Sequence, residues 1–425
     1  MKIKQKYISY EEVMQLPRPA HKRPLRPSLF FRTVIRLGSV PSLHRSHVRY
    51  KTHRMEAAGK GPWLILMNHS CFMDLKIASK IFYPKAYNIV CTTDALVGMP
   101  WLIRWIGGIP TQKFVSDLTL IRDIIYAIKE KKTSVLMYPE AGYSFDGRAT
   151  PLPRKMGVLL KKLGVPVVSV ITEGAFARDP LYNGLQLRKV RVNATVSCLL
   201  TPEEIQEKSV EELDCILDEI FTFDNFRWQQ ENNVKVSEPF RADGLHRILY
   251  QCPHCLAEGK MEGNGTLLTC QNCSAQYELT EYGKLSSVDG NGIFDHVPDW
   301  YDWQRTQVRK QVEREDYSES MEVEIGLMLD YKALYRVGEG VLTHNKDGFT
   351  LIGCDGKLNY HQPATASYTL NSDFFWYEIG DVIGIGNRNC LYYCFPKDKS
   401  VSVTKARLAT EELYKIAKSR KETKV

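Results

Sequence analysis

Between residues 62 and 232, short apolar runs alternate with stretches of helical rhythm, and this constrains the fold more than any other feature of the chain. Residues 63–67, 88–92, 134–138, 165–171 and 190–199 read as strands. Between them, 117–131 reads as a helix: Leu118, Ile121, Ile125 and Ile128 fall on one face behind Ser116 as the cap. Thr201-Pro-Glu-Glu204 is a capping box with proline at the first helical position, opening a further helix towards Asn232. Strands alternating with helices predict an α/β domain with a mainly parallel sheet and flanking helices. Ligands of such sheets bind at the carboxyl ends of the strands. Asn68-His69 lies at one such end and Pro139-Glu140 at another.

The first strand runs into "NHSCFMD", in which Asp74 follows His69 by five positions. If the intervening residues turn into a helix, the carboxylate can return to the imidazole and bond one ring nitrogen. That fixes the tautomer and leaves the other nitrogen to take a proton from a hydroxyl. His69 is then a general base and Asp74 its orienter, with no serine nucleophile in the motif. Alone, the spacing is weak, because a histidine and an aspartate five apart occur by chance in many proteins. Cys71, beside the histidine, reads as a packing residue rather than a nucleophile.

Context strengthens the reading. Four blocks between about residues 60 and 200 resemble the glycerolipid acyltransferase superfamily, typified by bacterial 1-acyl-glycerol-3-phosphate acyltransferases. The first is the histidine, four residues and aspartate of Asn68 to Asp74. The second is "GMPWLIRWIGGIPTQKF", in which Lys113 stands where an arginine is usual. The third is "YPEAGYS", Tyr138 to Ser144, and the fourth is the apolar Val-Pro strand "VPVVSV" from Val165. The resemblance implies transfer of a fatty acyl group from a thioester, on coenzyme A or acyl carrier protein, to a hydroxyl of a lipid acceptor. By analogy that acceptor is 1-acyl-sn-glycerol-3-phosphate, giving phosphatidate. His69 and Asp74 are the implied catalytic residues, and Asn68, Lys113, Glu140, Gly142, Tyr143, Ser144 and Arg148 the implied substrate-binding set. Backbone N–H groups near Gly142 would steady the developing oxyanion. The family's Glu-Gly-Thr-Arg-Ser is here Glu140-Ala141-Gly142-Tyr143-Ser144. A tyrosine offers one neutral donor in place of a guanidinium fork, so the resemblance supports O-acyl transfer more firmly than a phosphorylated acceptor. Arg148, Arg154 and Lys155 are the substitutes available in the same loop.

A second signal lies downstream. Cys252-Pro-His-Cys255 and Cys270-Gln-Asn-Cys273 are two C-x-x-C knuckles separated by 14 residues. Four thiolates on two short turns suit a tetrahedral structural zinc, and predict a zinc ribbon over 248–282. Zinc would stabilise a module too small for a core of its own. Residues 298–325 read as a charged helical linker, with the helix over 299–324. From 326 to 420, short alternating strands broken by Asp-Gly and Asn turns precede a helix over 404–418. This looks like a small β-rich domain of pleckstrin-homology type.

Charge is uneven. Residues 1–62 hold 14 lysines and arginines against Glu11, Glu12 and Glu56, although the whole chain carries only +8. A basic, partly amphipathic arm over 1–60 ahead of the acyltransferase domain at 61–235 points to an anionic surface. Within it, Ser28 would cap a short helix with Leu29, Phe30, Val34 and Leu37 on an apolar side and Arg32 and Arg36 on a basic one, as in interfacial membrane helices. Residues 99–109 would line an acyl channel, lie in the bilayer surface or simply fill the core. No apolar run approaches the ~20 residues of a membrane span, and the N-terminus lacks a signal-peptide apolar region. The expected place is the cytoplasm, peripheral on the cytoplasmic membrane face. The rival class is a non-catalytic nucleic-acid-binding or scaffold protein on a retired enzyme domain. Against nucleic acid, residues 249–279 hold only Lys260 against Glu258, Glu262 and Glu278.

Overall fold

The computed structural model describes residues 2–422 other than Phe72, Ser116 and Leu185. Its strands, in chain order, are β1 (Gln5–Tyr7), β2 (Arg49–His53), β3 (Leu64–Met67), β4 (Tyr87–Thr92), β5 (Gly108–Thr111), β6 (Ser134–Met137), β7 (Val167–Glu173) and β8 (Asn193–Leu200). The first large sheet has the order β2-β8-β7-β3-β6-β4-β5. Strands β7, β3, β6, β4 and β5 are mutually parallel, whereas β8 runs antiparallel to β7 with β2 parallel to β8. Central β3 is the run Leu64-Ile-Leu-Met67, buried on both faces, as a strand covered on both sides must be.

The alternation thus builds the expected mixed, mostly parallel sheet, but two strands escape the sequence pattern. Strand β2 is Arg-Tyr-Lys-Thr-His, exposed throughout, so no apolar rhythm announces it. Strand β5 is a Gly-Ile-Pro-Thr edge strand directly after a short helix. Helix Leu118–Lys129 is capped by the Asp117 side chain, which accepts from the Thr119 N–H at 2.8 Å. The cap expected at Ser116 lies outside the described residues. Its buried face is Asp123, Ile124, Ala127 and Ile128, while Leu118 is exposed. The helix expected to run on from Thr201 is broken into Pro202–Glu207, Val210–Ile220 and Asn225–Glu231. Ser209 and Glu212 form a second capping box, which restarts the chain.

Residues 1–60 contribute to both large sheets. Strand β2 edges the first, and β1 pairs in parallel with a strand of the second. Helix Leu29–Arg45 starts at the Ser28 cap and packs on helix Asp74–Phe82, with the Lys76 ammonium donating to Ser42 Oγ at 2.9 Å.

The cysteine-rich segment forms a four-stranded antiparallel sheet of β9 (Met261–Asn264), β10 (Leu267–Cys270), β11 (Gln276–Leu279) and β12 (Leu285–Ser287). Its residues Leu268 and Tyr277 belong to a larger core with Trp300, Val308 and residues of the second large sheet. Helix Val297–Glu313 is therefore a packed element: Trp300, Tyr301, Gln304, Val308 and Val312 are buried along it. It ends well short of 324. Glu315 takes a left-handed φ of 59°, and from Ser318 the chain alternates as a strand with Met321, Val323 and Ile325 inside.

The C-terminal half is an antiparallel sheet of β13 (Ser318–Leu327), β14 (Leu334–Asn345), β15 (Gly348–Gly353), β16 (Leu358–Pro363), β17 (Asn371–Trp376), β18 (Gly380–Gly386) and β19 (Leu391–Pro396). Their order is β16-β15-β14-β13-β19-β18-β17, so the first strand of the meander pairs with the last. Helix Val403–Glu422 closes it and is fastened to helix Val297–Glu313 by Arg305 on Glu411 at 2.6 Å and Arg309 on Glu412 at 2.7 Å. Aromatic contacts join this half to the first domain: Phe145 lies 4.4 Å from Phe374, and Phe114 meets Tyr368 edge-on at 5.8 Å. None of the helices, among the described residues, is long and apolar enough to cross a membrane.

Candidate active site

Parallel pairing brings the carboxyl ends of β3, β6, β4 and β5 to one edge of the sheet. His69 follows β3, Glu140 follows β6 and Lys113 follows β5. Asp74 opens helix Asp74–Phe82, where exposed helical N–H groups favour a carboxylate. Its Oδ2 accepts from the backbone N–H groups of Ser70 at 3.0 Å and Cys71 at 3.3 Å, and lies 2.9 Å from His69 Nδ1. Asp74 is 1% exposed while the histidine side chain keeps 18%. Nδ1 is thus committed to the carboxylate and Nε2 is left for a substrate. Burial lowers the histidine's proton affinity, with Asp74 working against that, so the imidazole stays neutral below the usual histidine range.

The imidazole is held between two phenol rings. Tyr138 stacks on it at 4.0 Å and 21°, and Tyr143 at 4.0 Å and 29°. Tyr143, the departure from the family signature, therefore fixes the plane of the base. Burial pushes both phenols well above their ordinary range, so they remain neutral. The loop also touches the base through its backbone, with the Ser144 N–H donating to the His69 carbonyl at 3.4 Å.

Glu140 is 1% exposed, and neither carboxyl oxygen has a hydrogen-bond partner. Burial raises its proton affinity well above that of a free carboxyl. A buried carboxyl left without hydrogen-bond partners costs about 1–3 kcal/mol, which a ligand can recover. Ala141 follows at φ 54°, the left-handed region. The glycine of the family signature is free of the Cβ strain that alanine carries there. Buried Gly142 comes next, where an added Cβ would lie 3.6 Å from Phe114.

Other predicted residues are occupied elsewhere. Asn68 is fully buried, its amide donating to the Thr172 carbonyl at 3.1 Å and accepting from the Thr172 N–H at 2.8 Å. It joins the ends of β3 and β7 instead of facing a substrate. Ser144 is also fully buried; its hydroxyl donates to the Arg148 carbonyl at 2.6 Å and accepts from the Gly147 N–H at 3.0 Å. Arg148 turns away to Asp146 at 2.9 Å, Asp302 at 2.6 Å and the Pro298 carbonyl at 3.2 Å. Arg154 pairs with Asp218 at 2.5 Å, and the Lys155 N–H donates to Asp214 at 2.7 Å. Of the cations considered, Lys113 is the one whose charge bears on His69. Cys71 is buried and its thiol is pushed well above the usual range by that burial, which makes it a poor nucleophile.

Sequence reasoning did not find Tyr138 as a ring partner, nor the approach of the C-terminal half. Arg407 of the last helix lies over Phe145 at 4.3 Å, and its charge reaches Glu140. Asp373 of β17 acts on Tyr143 and is itself acted on by Lys113. Nothing local in "NSDFFW" marks that aspartate.

The four cysteines come together as predicted. Sγ–Sγ distances are 3.6 Å for Cys252–Cys273 and 3.6 Å for Cys255–Cys270, and all four sulfurs lie within 4.8 Å of one another. Disulfides need about 2.05 Å, whereas a tetrahedron with bonds of about 2.3 Å has edges near 3.8 Å. The donor set fits a metal ion such as zinc. The knuckles are built alike: Leu256 and Ser274, each just after a second cysteine, take φ 62°, and their N–H groups donate to Cys252 and Cys270.

Residues 45–173 match the family model described as Acyltransferase, so this part of the chain is an acyltransferase-family domain. The crystal structure of the 1-acyl-sn-glycerophosphate (LPA) acyltransferase PlsC from Thermotoga maritima is similar at 18% identity, covering 45% of this chain and 76% of that one, with a TM-score of 0.34. No curated protein sequence matches the chain.

Proposed function

We propose that the protein is an O-acyltransferase that moves a fatty acyl group from a thioester of coenzyme A or acyl carrier protein to a hydroxyl of a glycerolipid. The observation that carries this is the 2.9 Å contact between His69 Nδ1 and Asp74, which leaves Nε2 as the nitrogen available to a substrate. His69 takes the acceptor's hydroxyl proton as the oxygen attacks the thioester carbonyl. A C–O bond forms, the C–S bond breaks, and the proton passes to the departing thiolate. No covalent enzyme intermediate is needed. Glu140 positions the acceptor or supports the loop, and the backbone around Gly142 steadies the oxyanion. The acceptor expected from the resemblance is 1-acyl-sn-glycerol-3-phosphate, for which Lys113 is the supporting cation.

The reading places the enzyme on the cytoplasmic face of an anionic membrane. Helix Leu29–Arg45 exposes Leu29, Phe30, Val34, Leu37 and Val40 while its other side packs inward. Met99, Trp101 and Trp105 are exposed nearby, with Trp105 6.4 Å from Phe31. An apolar surface with indoles among basic residues suits the headgroup zone. The ion in the cysteine cluster is read as structural zinc, and the meander with its closing helix as a pleckstrin-homology-type barrel. The test is transfer of label from an acyl thioester to a panel of lysoglycerolipids by the full chain. Failure on the whole panel with every donor would exclude the reading.

A further inference from the structure

The cleft beside Lys113 has walls from two domains. Asp94, Gln112 and Lys113 line it from the first sheet, and Asn371, Trp376 and Tyr393 from the second. Asp373 lies two positions along β17 from Asn371, on the same face of the strand before its register shifts. Phe114, next to Lys113, lies 3.6 Å from where a Cβ on Gly142 would sit, and Gly142 adjoins the Tyr143 that stacks on His69. Phe374, next to Asp373, lies 4.4 Å from Phe145 of the same loop, so the cleft adjoins the catalytic pair.

Two oxygens of the first-domain wall are left without donors. Asp94 Oδ1 and Gln112 Oε1 are buried without a hydrogen-bond partner. A carboxylate oxygen can only accept, so the group that completes it must bring an O–H or N–H. Ionised phosphate monoesters bring acceptor oxygens and about −1.5 to −2 charges. Here they would meet two carboxylates and a single ammonium, with Tyr143 in place of the family's arginine and Arg148 spent on Asp146 and Asp302. Burial pushes the Asp373 carboxyl up to about 6 against the pull of Lys113, which still leaves it mostly ionised at pH 7.

We infer that the C-terminal domain completes the acceptor site, and that Asp94, Gln112, Lys113 and Asp373 select a neutral glycerol headgroup with free hydroxyls over a phosphate monoester. This rests on the acyl-transfer reading and replaces the phosphorylated acceptor that the resemblance implies with a neutral one.

Equilibrium dialysis of the full chain without acyl donor, using a short-chain monoacylglycerol and its 3-phosphate as probes, separates the two claims. The wild type should bind the neutral probe at least about tenfold more tightly, and Asp373→Asn should close most of that gap by gaining affinity for the phosphate. Lys113→Met should widen it. If Asp373→Asn fails to fold, Asp94→Asn gives the same comparison. A wild type that prefers the phosphate, binds neither probe, or shows a preference that folded Asp373→Asn or Asp94→Asn leaves unchanged overturns the inference. Binding of the neutral probe with the expected preference, but no transfer once donor is added, would uphold the cleft's selectivity and count against the reaction.

Discussion

Tyr143 lies against the imidazole of His69 with ring centroids 4.0 Å apart, at the position where the related signature carries an arginine. One substitution thus exchanges a phosphate-binding cation for an aromatic clamp on the base. With Tyr138 on the opposite face and Asp74 on Nδ1, the ring is fixed in plane and tautomer before any substrate arrives.

Asp74→Asn is predicted to keep the fold but lower kcat/KM by about 10²-fold or more, because the tautomer is no longer fixed. The pH profile adds a second reading. The base must be neutral, and burial lowers its proton affinity, so the acidic limb of wild-type activity should fall below the ordinary histidine value near 6.5. Asp74 favours the imidazolium, so its loss should move that limb further to acid. A limb that stays put or moves to alkali would show that the pair does not couple as described.

Ala141 holds φ 54° in the turn after Glu140. Ala141→Gly should stabilise the protein by about 1 kcal/mol, since glycine is free of the left-handed strain and gives back part of the gain through its looser unfolded chain. Urea denaturation followed by tryptophan fluorescence measures the difference. A destabilised Ala141→Gly would mean that the methyl packs usefully there.

Purified without chelators, the chain should contain one zinc, and a Cys252→Ser, Cys273→Ser double variant should contain none. The ribbon shares its core with Trp300, so losing the metal should loosen the C-terminal half as well. Elemental analysis gives the first result and tryptic susceptibility the second. Metal-free wild-type protein with an intact fold would refute the assignment.

Replacing Phe30 and Leu37 with serine should weaken sedimentation with anionic vesicles severalfold while leaving the fold intact, because both side chains are exposed, at 70% and 65%. Burying such a side chain gives about 1.5–3 kcal/mol. Binding of the wild type should also fall as salt rises, since the charge contribution is screened beyond about 10 Å at 0.1 M. Unchanged sedimentation of the variant would move the membrane contact to Trp101 and Trp105.

What could be read from the chain was what is local in it. His69 and Asp74 sit within one turn of each other, and each C-x-x-C knuckle closes on itself, so spacing alone carries their geometry. The parallel sheet was legible because buried strands such as Leu64–Met67 are apolar throughout. Strand β2 was not, because an exposed edge strand has no apolar rhythm. The fate of Arg148 depends on Asp302, 154 residues away, and the role of Asp373 depends on how two domains meet. Such pairings leave no local trace in sequence. For the same reason, proximity in the loop made Arg148, Arg154 and Lys155 look like substitutes for the missing arginine, although the guanidinium groups of Arg148 and Arg154 are engaged elsewhere.

The most direct measurement is turnover of purified His69→Ala on a labelled acyl thioester and a glycerolipid acceptor, beside wild type, with folding checked by circular dichroism. If His69 removes the acceptor's proton, kcat/KM should fall by about 10²–10⁴-fold while the fold is retained. Turnover within a few-fold of wild type by folded His69→Ala would contradict the mechanism outright.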